Sequence, residues 1–363
     1  MSAKINIEKV LLSPLDWGMG HATRCIPIIR SLLSIGYKVL IAASAEQKKF
    51  LQQEFPHIEF IELKGYGIRY SKIRWLFFFK LLLQAPRFLS TIKYEYRWLD
   101  KIIDEHKIDL VISDNRFGLH SKKCPCIFIT HQLTIKMAFA LIETLVQKIN
   151  YSYINRFTAC WVPDAAEKIN AAGILSHPKK LPAIPVHYIG LLSRFKKNIV
   201  AEKKYDYCVI LTGPEPQRTI LEKLILKDIE TIAGKTLLVR GLPASEETIQ
   251  TASNIVIKNY LPGIEMQLAF EQSETIISRS GYTTVMEILS MQKRSILIPT
   301  PGQTEQEYLA GILQKQGLIF TISQNKFSIL NAVQQAKQFS YSTITLPVFN
   351  DEKLQQLMLL IQL

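Results

Sequence analysis

The fold is decided by the stretch Ile277-Ser-Arg-Ser-Gly-Tyr-Thr-Thr-Val-Met-Glu-Ile-Leu289, continued by Pro299-Thr-Pro-Gly-Gln-Thr-Glu-Gln-Glu-Tyr308. Thr275 to Ile277 predicts a short buried strand, because β-branched and aliphatic residues follow one another there. Ser278 to Gly281 predicts a turn, and Thr283 to Ser290 a helix with one apolar side. The order strand, tight turn and helix predicts one unit of an α/β fold.

Such a turn is a ready anion-binding site. The free N–H groups and the positive dipole end of the helix point in the same direction. Gly281 has no side chain, so the backbone there can approach a phosphate closely. The other residues that we predict to bind a phosphate group around this turn are Ser278, Arg279, Ser280, Thr283 and Thr284.

Polar groups farther along predict contacts to a sugar. Glu287 lies about one turn into the helix, where a carboxylate can accept hydrogen bonds from a ribose diol. After the next strand, at 295–299, a loop carries amide, hydroxyl and carboxylate groups that suit a polyhydroxylated ligand. These loop residues are Gln303, Thr304, Glu305 and Gln306. Each of the two stretches, 277–289 and 299–308, is by itself also compatible with an ordinary βαβ unit that has a capped helix. Both together, at this spacing, are a much more specific signal of a ligand-binding site.

Length and composition predict two packed domains. The chain has 363 residues, of which 48% are hydrophobic. Its five cysteines are an odd number without a Cys-x-x-Cys pair, which argues against a disulfide framework and a zinc site and favours a reduced, cytoplasmic compartment. The first residues show no apolar signal core, and no run reaches the roughly 18 apolar residues that span a bilayer.

The positive charge is unevenly distributed. The formal net charge is +13. Residues 1–190 contain 26 Lys and Arg against 15 Asp and Glu, whereas residues 191–363 contain 18 against 16. The excess therefore belongs to the N-terminal half, and it favours an anionic partner for that half only.

The N-terminal stretch predicts a second ligand-binding edge. A strand at 9–13, a glycine-containing loop, a helix stopped at Gly36 and a strand at 37–43 open a doubly wound parallel sheet. Ligands of such sheets bind beyond the C-terminal strand ends, where the loop brings Gly18, Gly20, His21 and Arg24. The full Gly-x-Gly-x-x-Gly fingerprint of a dinucleotide site is absent.

His21 is the candidate general base of this edge. A helix N-terminus lowers the pKa of a histidine, which suits a neutral base; the alternative is a histidine that only bonds the backbone. Asp114 ends a predicted strand at 108–114 and can hold His21 in one tautomer, or it only caps a loop. His131 follows the strand at 126–130 and is a second candidate for contact with an acceptor.

Residues 64–97 form a basic–aromatic segment. It contains eight Lys and Arg, one acid (Glu95), and aromatic and leucine side chains between them. This pattern is typical of an element that lies on an anionic membrane surface. The alternative is a loop and a helix whose apolar face belongs to the core, with Phe78, Leu81 and Leu82 at suitable spacing. Nucleic-acid binding ranks low, because no nucleic-acid motif accompanies the charge.

The 277–308 stretch resembles the donor site of GT-B glycosyltransferases, and in particular the family of the peptidoglycan lipid-intermediate N-acetylglucosaminyltransferase. That family has a Ser-Arg-x-Gly turn, a Thr-Val-x-Glu helix and a later loop with glutamine. The Gly-x-Gly-His loop at 18–21 is similar to its N-terminal loop. The resemblance implies an α/β GT-B fold of two Rossmann-like doubly wound domains facing across a cleft: 1–192 for the acceptor, 193–345 for the donor, and a helix at 346–363 that packs back on the first domain.

The resemblance also assigns two loops of the second domain. Gly213 and Arg218 fall in a loop that grips pyrophosphate in the family. Here Pro214 and Pro216 remove N–H donors and Glu215 adds a negative charge, so that Arg218 has to restore the grip. Leu261 falls in the loop whose backbone reads the nucleotide base.

The activity that the resemblance implies is an inverting, metal-independent glycosyl transfer. A nucleotide-diphosphate sugar, with a UDP-sugar as the family's choice, is the co-substrate, and no further cofactor is implied. His21 and Asp114 deprotonate the acceptor hydroxyl, and Gly18, Gly20, Arg24 and His131 contact the acceptor. The sequence contains no Asp-x-Asp pair for a metal.

The basic–aromatic segment leaves open a lipid-linked acceptor of the cell envelope and a peripheral place on the inner face of the membrane. Two other functions also remain open. One is a nucleotide-sugar 2-epimerase on the same fold, which needs no acceptor. The other is a non-catalytic protein that binds nucleic acid or lipid.

Overall fold

The computed structural model describes residues 6–67, 74–136, 140–196 and 202–362, with side chains left out at 74–85, 140 and 141. The chain divides into two compact units, Met1–Leu192 together with Pro347–Leu363, and Ser193–Leu346. Each unit is built on one parallel sheet.

The described part of the first unit begins with seven strands and four α-helices. Their bounds are β1 (Lys9–Pro14), α1 (Met19–Ile35), β2 (Lys38–Ala43), α2 (Ala45–Glu54), β3 (Glu59–Glu62), α3 (Arg74–His106), β4 (Leu110–Asp114), β5 (Cys126–Ile129), α4 (Ala140–Ile154), β6 (Ala159–Val162) and β7 (Val186–Tyr188). Strands and α-helices alternate except between β4 and β5 and between β6 and β7.

The second unit follows the same plan, and the last helix returns to the first unit. The bounds are β8 (Tyr205–Ile210), α5 (Gln217–Asp228), β9 (Thr236–Val239), β10 (Ile255–Lys258), α6 (Gly263–Glu271), β11 (Ser273–Ser278), α7 (Tyr282–Ser290), β12 (Arg294–Leu297), α8 (Thr304–Lys315), β13 (Phe320–Thr321), α9 (Ile329–Gln338) and α10 (Asp351–Gln362).

The strand orders show where ligands can bind. The first sheet runs β3-β2-β1-β4-β5-β6-β7 and the second runs β10-β9-β8-β11-β12-β13. In each sheet the order reverses between two central neighbours, β1 and β4 or β8 and β11, which pair in parallel. The crossovers leave these neighbours in opposite directions, so a crevice opens beyond their carboxyl ends.

Continuous apolar runs explain why these strands are central. Val10, Leu11 and Leu12 of β1 are fully buried, and so are Ile276 and Ile277 of β11. A strand of a parallel sheet is covered by helices on both faces, so every residue of the run is buried. These runs therefore form the centre of each core.

Helix ends follow local backbone chemistry. Helix α1 ends at Gly36, whose φ of 100° lets its N–H reach the carbonyls of Leu32 and Leu33. This confirms the predicted stop. Helix α9 starts at Ile329, because the Ser328 hydroxyl accepts a hydrogen bond from the N–H of Asn331. Helix α2 and strand β7 were not predicted.

The described part of the basic–aromatic segment is partly a core element. Glu95, its one acid, is fully buried; its carboxylate accepts hydrogen bonds from the Tyr66 hydroxyl at 2.7 Å and from Arg116 Nη1 at 2.7 Å. Arg87, Lys93 and Arg97 of the same helix are exposed. The apolar run at 75–83, on which the membrane interpretation depends, lies outside the described side chains. Among the described helices, none is long and apolar enough to cross a membrane.

Helix α10 packs on α1 in the first unit. Asp351, at its first position, accepts hydrogen bonds from Ser31 Oγ at 2.5 Å and Ser34 Oγ at 2.8 Å. An acid at a helix N-terminus also complements the helix dipole. Leu354, Leu357 and Met358 are buried beneath it. Burial of these side chains attaches the C-terminal segment to the first unit.

We predict that Leu354→Ala lowers the free energy of unfolding of the first unit by about 2 to 4 kcal/mol, because a fully buried leucine leaves a cavity. All four tryptophans lie in the first 192 residues, so their fluorescence during urea unfolding reports this unit. The control is Leu359→Ala, at a side chain that is 57% exposed, with an expected change below about 0.5 kcal/mol. Equal effects of the two substitutions would contradict the docking of α10.

Candidate active site

The turn at Arg279–Gly281 lies at the carboxyl end of β11, where the second sheet reverses its order. Helix α7 starts directly after it with Gly281 as its N-cap, which carries no side-chain capping bond. A Cβ atom built on Gly281 would meet nothing within 4 Å. The helix N-terminus therefore faces open space, as an anion-binding turn requires.

The two serine hydroxyls of this turn are internal braces instead of ligand donors. Ser278 Oγ donates to the carbonyl of Ile210 in β8 at 2.8 Å, and Ser280 Oγ donates to the carbonyl of Gln306 at 3.0 Å. Both side chains are buried. These two hydroxyls therefore already donate within the protein, contrary to the expectation from the sequence, and phosphate binding by the backbone of the turn stays a prediction. Thr283 and Thr284 are half-buried in the first turn of α7.

The side chain of Arg279 is buried beneath the turn, with 1% of its surface exposed. Its guanidinium donates to carbonyls, at 3.2 Å to Ile298 and 2.8 Å to Gln217, while its Nε is buried without a hydrogen-bond partner. Burial lowers its pKa to about 10. The side chain of Arg279 is therefore not placed for the predicted direct contact with a phosphate. It is a buried cation at the turn, and no carboxylate of the described chain forms an ion pair with it.

Glu287, the predicted ribose acceptor, is buried on α7 with 4% of its surface exposed. Its Oε1 accepts a hydrogen bond from Arg194 Nε at 2.7 Å. Burial raises the pKa of Glu287, and Arg194 offsets part of that rise. Sequence reasoning missed Arg194, since 93 positions separate the two residues and no local signal links them.

The predicted sugar-binding loop is the N-cap of α8, Gln303, together with the first turn of that helix, 304–306. It follows β12 and lies on the same sheet edge as the Arg279–Gly281 turn. Gln306 is committed to this loop: its Oε1 accepts from the N–H of Thr300 at 3.0 Å and its Nε2 donates to Gln303 Oε1. Thr304 is exposed, and Glu305 is half-buried. The loop is thus held in one shape by the amides that were expected to bind the sugar.

In the first loop of the second unit and the helix start after it, the side chain of Arg218 is not exposed for contact with a phosphate. Gly213 has a φ of 98° and faces open space. Arg218 is buried, and its Nε donates to Glu215 Oε1 at 2.5 Å while its Nη1 donates to Glu222 Oε2 at 3.1 Å. These carboxylates compensate its charge, so the predicted phosphate grip by Arg218 is corrected to an internal ion pair. Leu261 is buried in the turn between β10 and α6, and the predicted contact of its backbone with the base stays a prediction.

In the first unit, His21 and Asp114 meet at the point where that sheet reverses its order. His21 lies in the first turn of α1, and Asp114 is the last residue of β4. His21 Nδ1 is 2.8 Å from Asp114 Oδ2. Arg24 Nη2 also lies 2.9 Å from the same Nδ1. When Nδ1 carries the proton, it donates to the carboxylate and leaves Nε2 as the proton acceptor, the tautomer that a general base needs. The two predicted catalytic residues are thus brought together.

Burial and neighbouring charges set the protonation states of this pair. Burial lowers the pKa of His21, Arg24 lowers it further, and Asp114 offsets part of the decrease. Burial acts to raise the pKa of Asp114, but the charges and hydrogen bonds of Arg24 and His21 outweigh it, and the net shift is downward. At neutral pH the geometry therefore holds a carboxylate beside a neutral imidazole.

Arg24 supports this pair and is not available to an acceptor. It is 3% exposed, and its Nε donates to Asp114 Oδ1 at 3.0 Å. Its Nη1 lies 3.4 Å from Nδ1 of His131, which is 4% exposed. The predicted acceptor contacts of these two side chains are therefore corrected to an internal network. Gly18, with a φ of 90°, has open space in front of it, and Gly20 lies in the first turn of α1.

Comparison with known proteins shows what the whole chain is similar to. Residues 221–343 match the glycosyltransferase family 28 C-terminal domain. Over 335 residues the chain is 24% identical to the UDP-N-acetylglucosamine--N-acetylmuramyl-(pentapeptide) pyrophosphoryl-undecaprenol N-acetylglucosamine transferase of Glaesserella parasuis serovar 5 (strain SH0165), covering 87% of this chain and 86% of that protein. The chain is a glycosyltransferase.

Solved structures show the same fold as this glycosyltransferase. The glycotransferase of kitacinnamycin has a TM-score of 0.64 at 12% identity, over 98% of this chain and 95% of that one. MurG of Acinetobacter baumannii has a TM-score of 0.55 at 12% identity, over the same shares. The predicted α/β class and GT-B fold with two Rossmann-like domains are confirmed.

No group of three or more His, Cys, Asp and Glu side chains is arranged to hold a metal ion in the described ranges of the chain.

We predict that Asp114→Asn lowers kcat of glycosyl transfer by about 10²- to 10⁴-fold, because an amide at this position no longer fixes the tautomer with Nε2 unprotonated. Asp114 raises the pKa of His21, so its neutralisation lowers that pKa, and the acidic limb of the pH–rate profile moves to lower pH.

The matched control is Asp100→Asn, at a half-exposed carboxylate on α3, which is expected to change neither kcat nor the pH profile. Circular dichroism checks that both variants are folded. An unchanged profile in Asp114→Asn would remove Asp114 from the mechanism.

Proposed function

We propose that this glycosyltransferase moves a sugar from a nucleotide-diphosphate donor to an acceptor hydroxyl, with inversion at the anomeric carbon and without a metal ion. The supporting observation is the Arg279–Gly281 turn. An open helix N-terminus lies above a buried guanidinium whose hydrogen bonds go to carbonyls. A diphosphate on the exposed amides supplies the negative charge that this cation lacks.

The donor is proposed to extend along the carboxyl edge of the second sheet. Its diphosphate binds at the N-terminus of α7, its ribose at Glu287 and its base at the backbone of Leu261. The sugar faces the loop of Gln303 and Glu305. A uracil base is proposed because a relative at 24% identity over most of the chain bears the name of a UDP-N-acetylglucosamine transferase.

The first unit is proposed to activate the acceptor. Nε2 of His21 takes the proton of the acceptor hydroxyl, whose oxygen then forms a bond to the anomeric carbon. The bond between that carbon and the diphosphate oxygen breaks with its electron pair. The amides of α7 and the field of Arg279 stabilise the charge of the departing diphosphate, so no metal ion is needed for this step.

A lipid-linked acceptor and a peripheral place on the cytoplasmic face of the membrane are proposed from two observations. The named relative acts on a pyrophosphoryl-undecaprenol compound. Arg87, Lys93 and Arg97 of the basic–aromatic segment are exposed, and anionic lipid attracts such side chains. Flotation with vesicles tests this proposal: equal recovery with neutral and anionic vesicles would contradict it.

We predict that Gly281→Ala weakens UDP binding at least about tenfold, because its methyl group keeps the phosphates from the amides and charge-assisted hydrogen bonds depend steeply on distance. The backbone of Gly281, with a φ of −67°, accepts alanine, so the stability loss is limited to about 1 kcal/mol from the weaker N-cap. Calorimetric titration with UDP measures the effect.

The matched control is Gly311→Ala in α8, where an added Cβ also meets nothing within 4 Å. This substitution is expected to preserve UDP affinity and to stabilise the helix slightly. If Gly281→Ala binds UDP as well as the control does, the diphosphate lies elsewhere.

We predict that His21→Ala reduces transfer from UDP-N-acetylglucosamine to a lipid-linked acceptor by about 10²- to 10⁴-fold and leaves the affinity for UDP unchanged. Mass spectrometry of the glycosylated acceptor measures the rate, and His57→Ala, at an exposed histidine, is the control. Epimer formation from the nucleotide sugar without any acceptor would instead identify a 2-epimerase.

A further inference from the structure

The ion pair between Arg194 and Glu287 has a defined geometry. The side chains are 14% and 6% exposed, and Arg194 Nε lies 2.7 Å from Glu287 Oε1. The guanidinium also lies 4.8 Å above the ring of Phe195, which packs on Phe270 with ring centroids 4.7 Å apart. The N–H of Phe195 is bonded to Ser193 Oγ at 3.2 Å. Arg194 is thus held between a fixed aromatic ring and the carboxylate.

The charge of Glu287 depends on this partner. Burial favours the protonated carboxyl, and Arg194 is the charged group of the described chain that opposes it. A protonated carboxyl group has one O–H donor and reduced acceptor capacity, whereas a carboxylate offers about four lone-pair sites. Arg194 Nε occupies one of these sites, which leaves acceptor positions for two hydroxyl groups.

The position of Glu287 makes this charge relevant to the donor. Its helix, α7, starts at the open turn where the diphosphate is proposed to bind. A pentose attached to that diphosphate presents two neighbouring hydroxyl groups if it is ribose and one if it is 2′-deoxyribose. A compensated carboxylate binds the diol with two charge-assisted hydrogen bonds and the deoxy sugar with one.

We propose that Arg194 is a positioning residue of the donor site: it orients and charge-compensates Glu287 so that the carboxylate selects ribonucleoside over 2′-deoxyribonucleoside diphosphates. The proposal rests on the donor site proposed above. Arg194 acts through Glu287, so its removal affects the discrimination between the two pentoses and not merely the overall affinity.

The experiment is calorimetric titration of the full-length protein with UDP and with 2′-deoxy-UDP. The wild type is expected to prefer UDP at least about tenfold, as one charged hydrogen bond implies. Arg194→Met is expected to lose most of that preference together with about tenfold in UDP affinity. Arg194→Lys keeps the positive charge but not the planar guanidinium group. It is therefore expected to retain part of the preference for UDP and part of the UDP affinity.

Two further variants complete the design. Glu287→Gln is expected to lose the preference as Arg194→Met does, and the double variant to lose no more than either, because both substitutions act on one carboxylate. The matched control is Arg294→Met, which breaks the pair with Glu274 at the start of β12, the opposite end of the strands from the turn. Its preference is expected to equal that of the wild type.

The pH dependence separates positioning from a purely structural role. Arg194 lowers the pKa of Glu287, so in Arg194→Met this pKa rises further. The UDP affinity of this variant is therefore expected to fall at a higher pH than that of the wild type as the solution is acidified. Loss of affinity by an equal factor at every pH would indicate a structural role and overturn the proposal.

The remaining outcomes are equally decisive. A wild type that binds neither nucleotide would refute the proposed donor site, and this inference with it. A wild type that prefers UDP while Arg194→Met keeps the preference would refute this inference alone. Tighter UDP binding by Arg194→Met would show that Arg194 blocks the pentose. Thermal unfolding shows whether each variant is folded, and Arg194→Lys tests the inference if Arg194→Met is not.

Discussion

The structure depends on one constraint of parallel sheets: every strand needs a crossover, and the crossovers must change direction once if both faces are to be covered. At the change of direction two neighbouring strands end without a connection above them. Helix N-termini, loops and strand ends then meet at one edge. This chain satisfies the constraint twice, at β1 and β4 and again at β8 and β11. The candidate base and the candidate diphosphate turn lie at these two points.

Three buried charged groups near these edges are compensated in different ways. Asp114 is paired with the charge of Arg24 and hydrogen-bonded to Arg24 and His21, and these contacts lower its pKa in spite of burial. Glu287 has one cationic partner, which only partly offsets the effect of burial. Among the described residues, the hydrogen-bond partners of Arg279 are carbonyl groups. The degree of charge compensation agrees with the proposed roles. Asp114, whose pKa is lowered, is proposed to orient the base, and Glu287, whose pKa is raised, to accept hydrogen bonds from hydroxyl groups. Arg279, which has no carboxylate partner among the described residues, is proposed to stabilise a bound anion.

Several polar side chains around the Arg279–Gly281 turn form hydrogen bonds that hold the backbone in place. The hydroxyls of Ser278 and Ser280 bond to carbonyls of β8 and α8, and the amide of Gln306 closes the turn before α8. Such bonds fix the direction of the N–H groups before any ligand arrives, and that preorganisation makes amides effective against developing charge. In the proposed donor complex, recognition of the phosphates is thereby left to the main chain and to the open position at Gly281.

The sequence by itself determined the strands, the turn and the helix starts, because these follow from local rules. Apolar runs specify buried strands, and Gly36 ends α1 by its positive φ. It also placed His21, Asp114, Gly281 and Glu287 at the functional edges, since in a doubly wound sheet position after a strand implies position in space. At α2 and β7 the local pattern does not distinguish a helix or a strand from a loop, so these elements could not be predicted.

Only the tertiary structure decided which polar side chains remain available. Arg24, Arg218, Arg279 and Gln306 have the chemistry of ligand contacts, yet each makes internal hydrogen bonds. Arg218 and Gln306 have internal partners within six positions, where the residue types allow a ligand contact equally well. Arg24 and Arg279 have partners 90 and 62 positions away, a separation to which no local pattern is sensitive. The same reason hid Arg194, whose partner lies 93 residues away. The sequence specifies the chemical type of each side chain, whereas the tertiary packing determines which partner a buried charged side chain has.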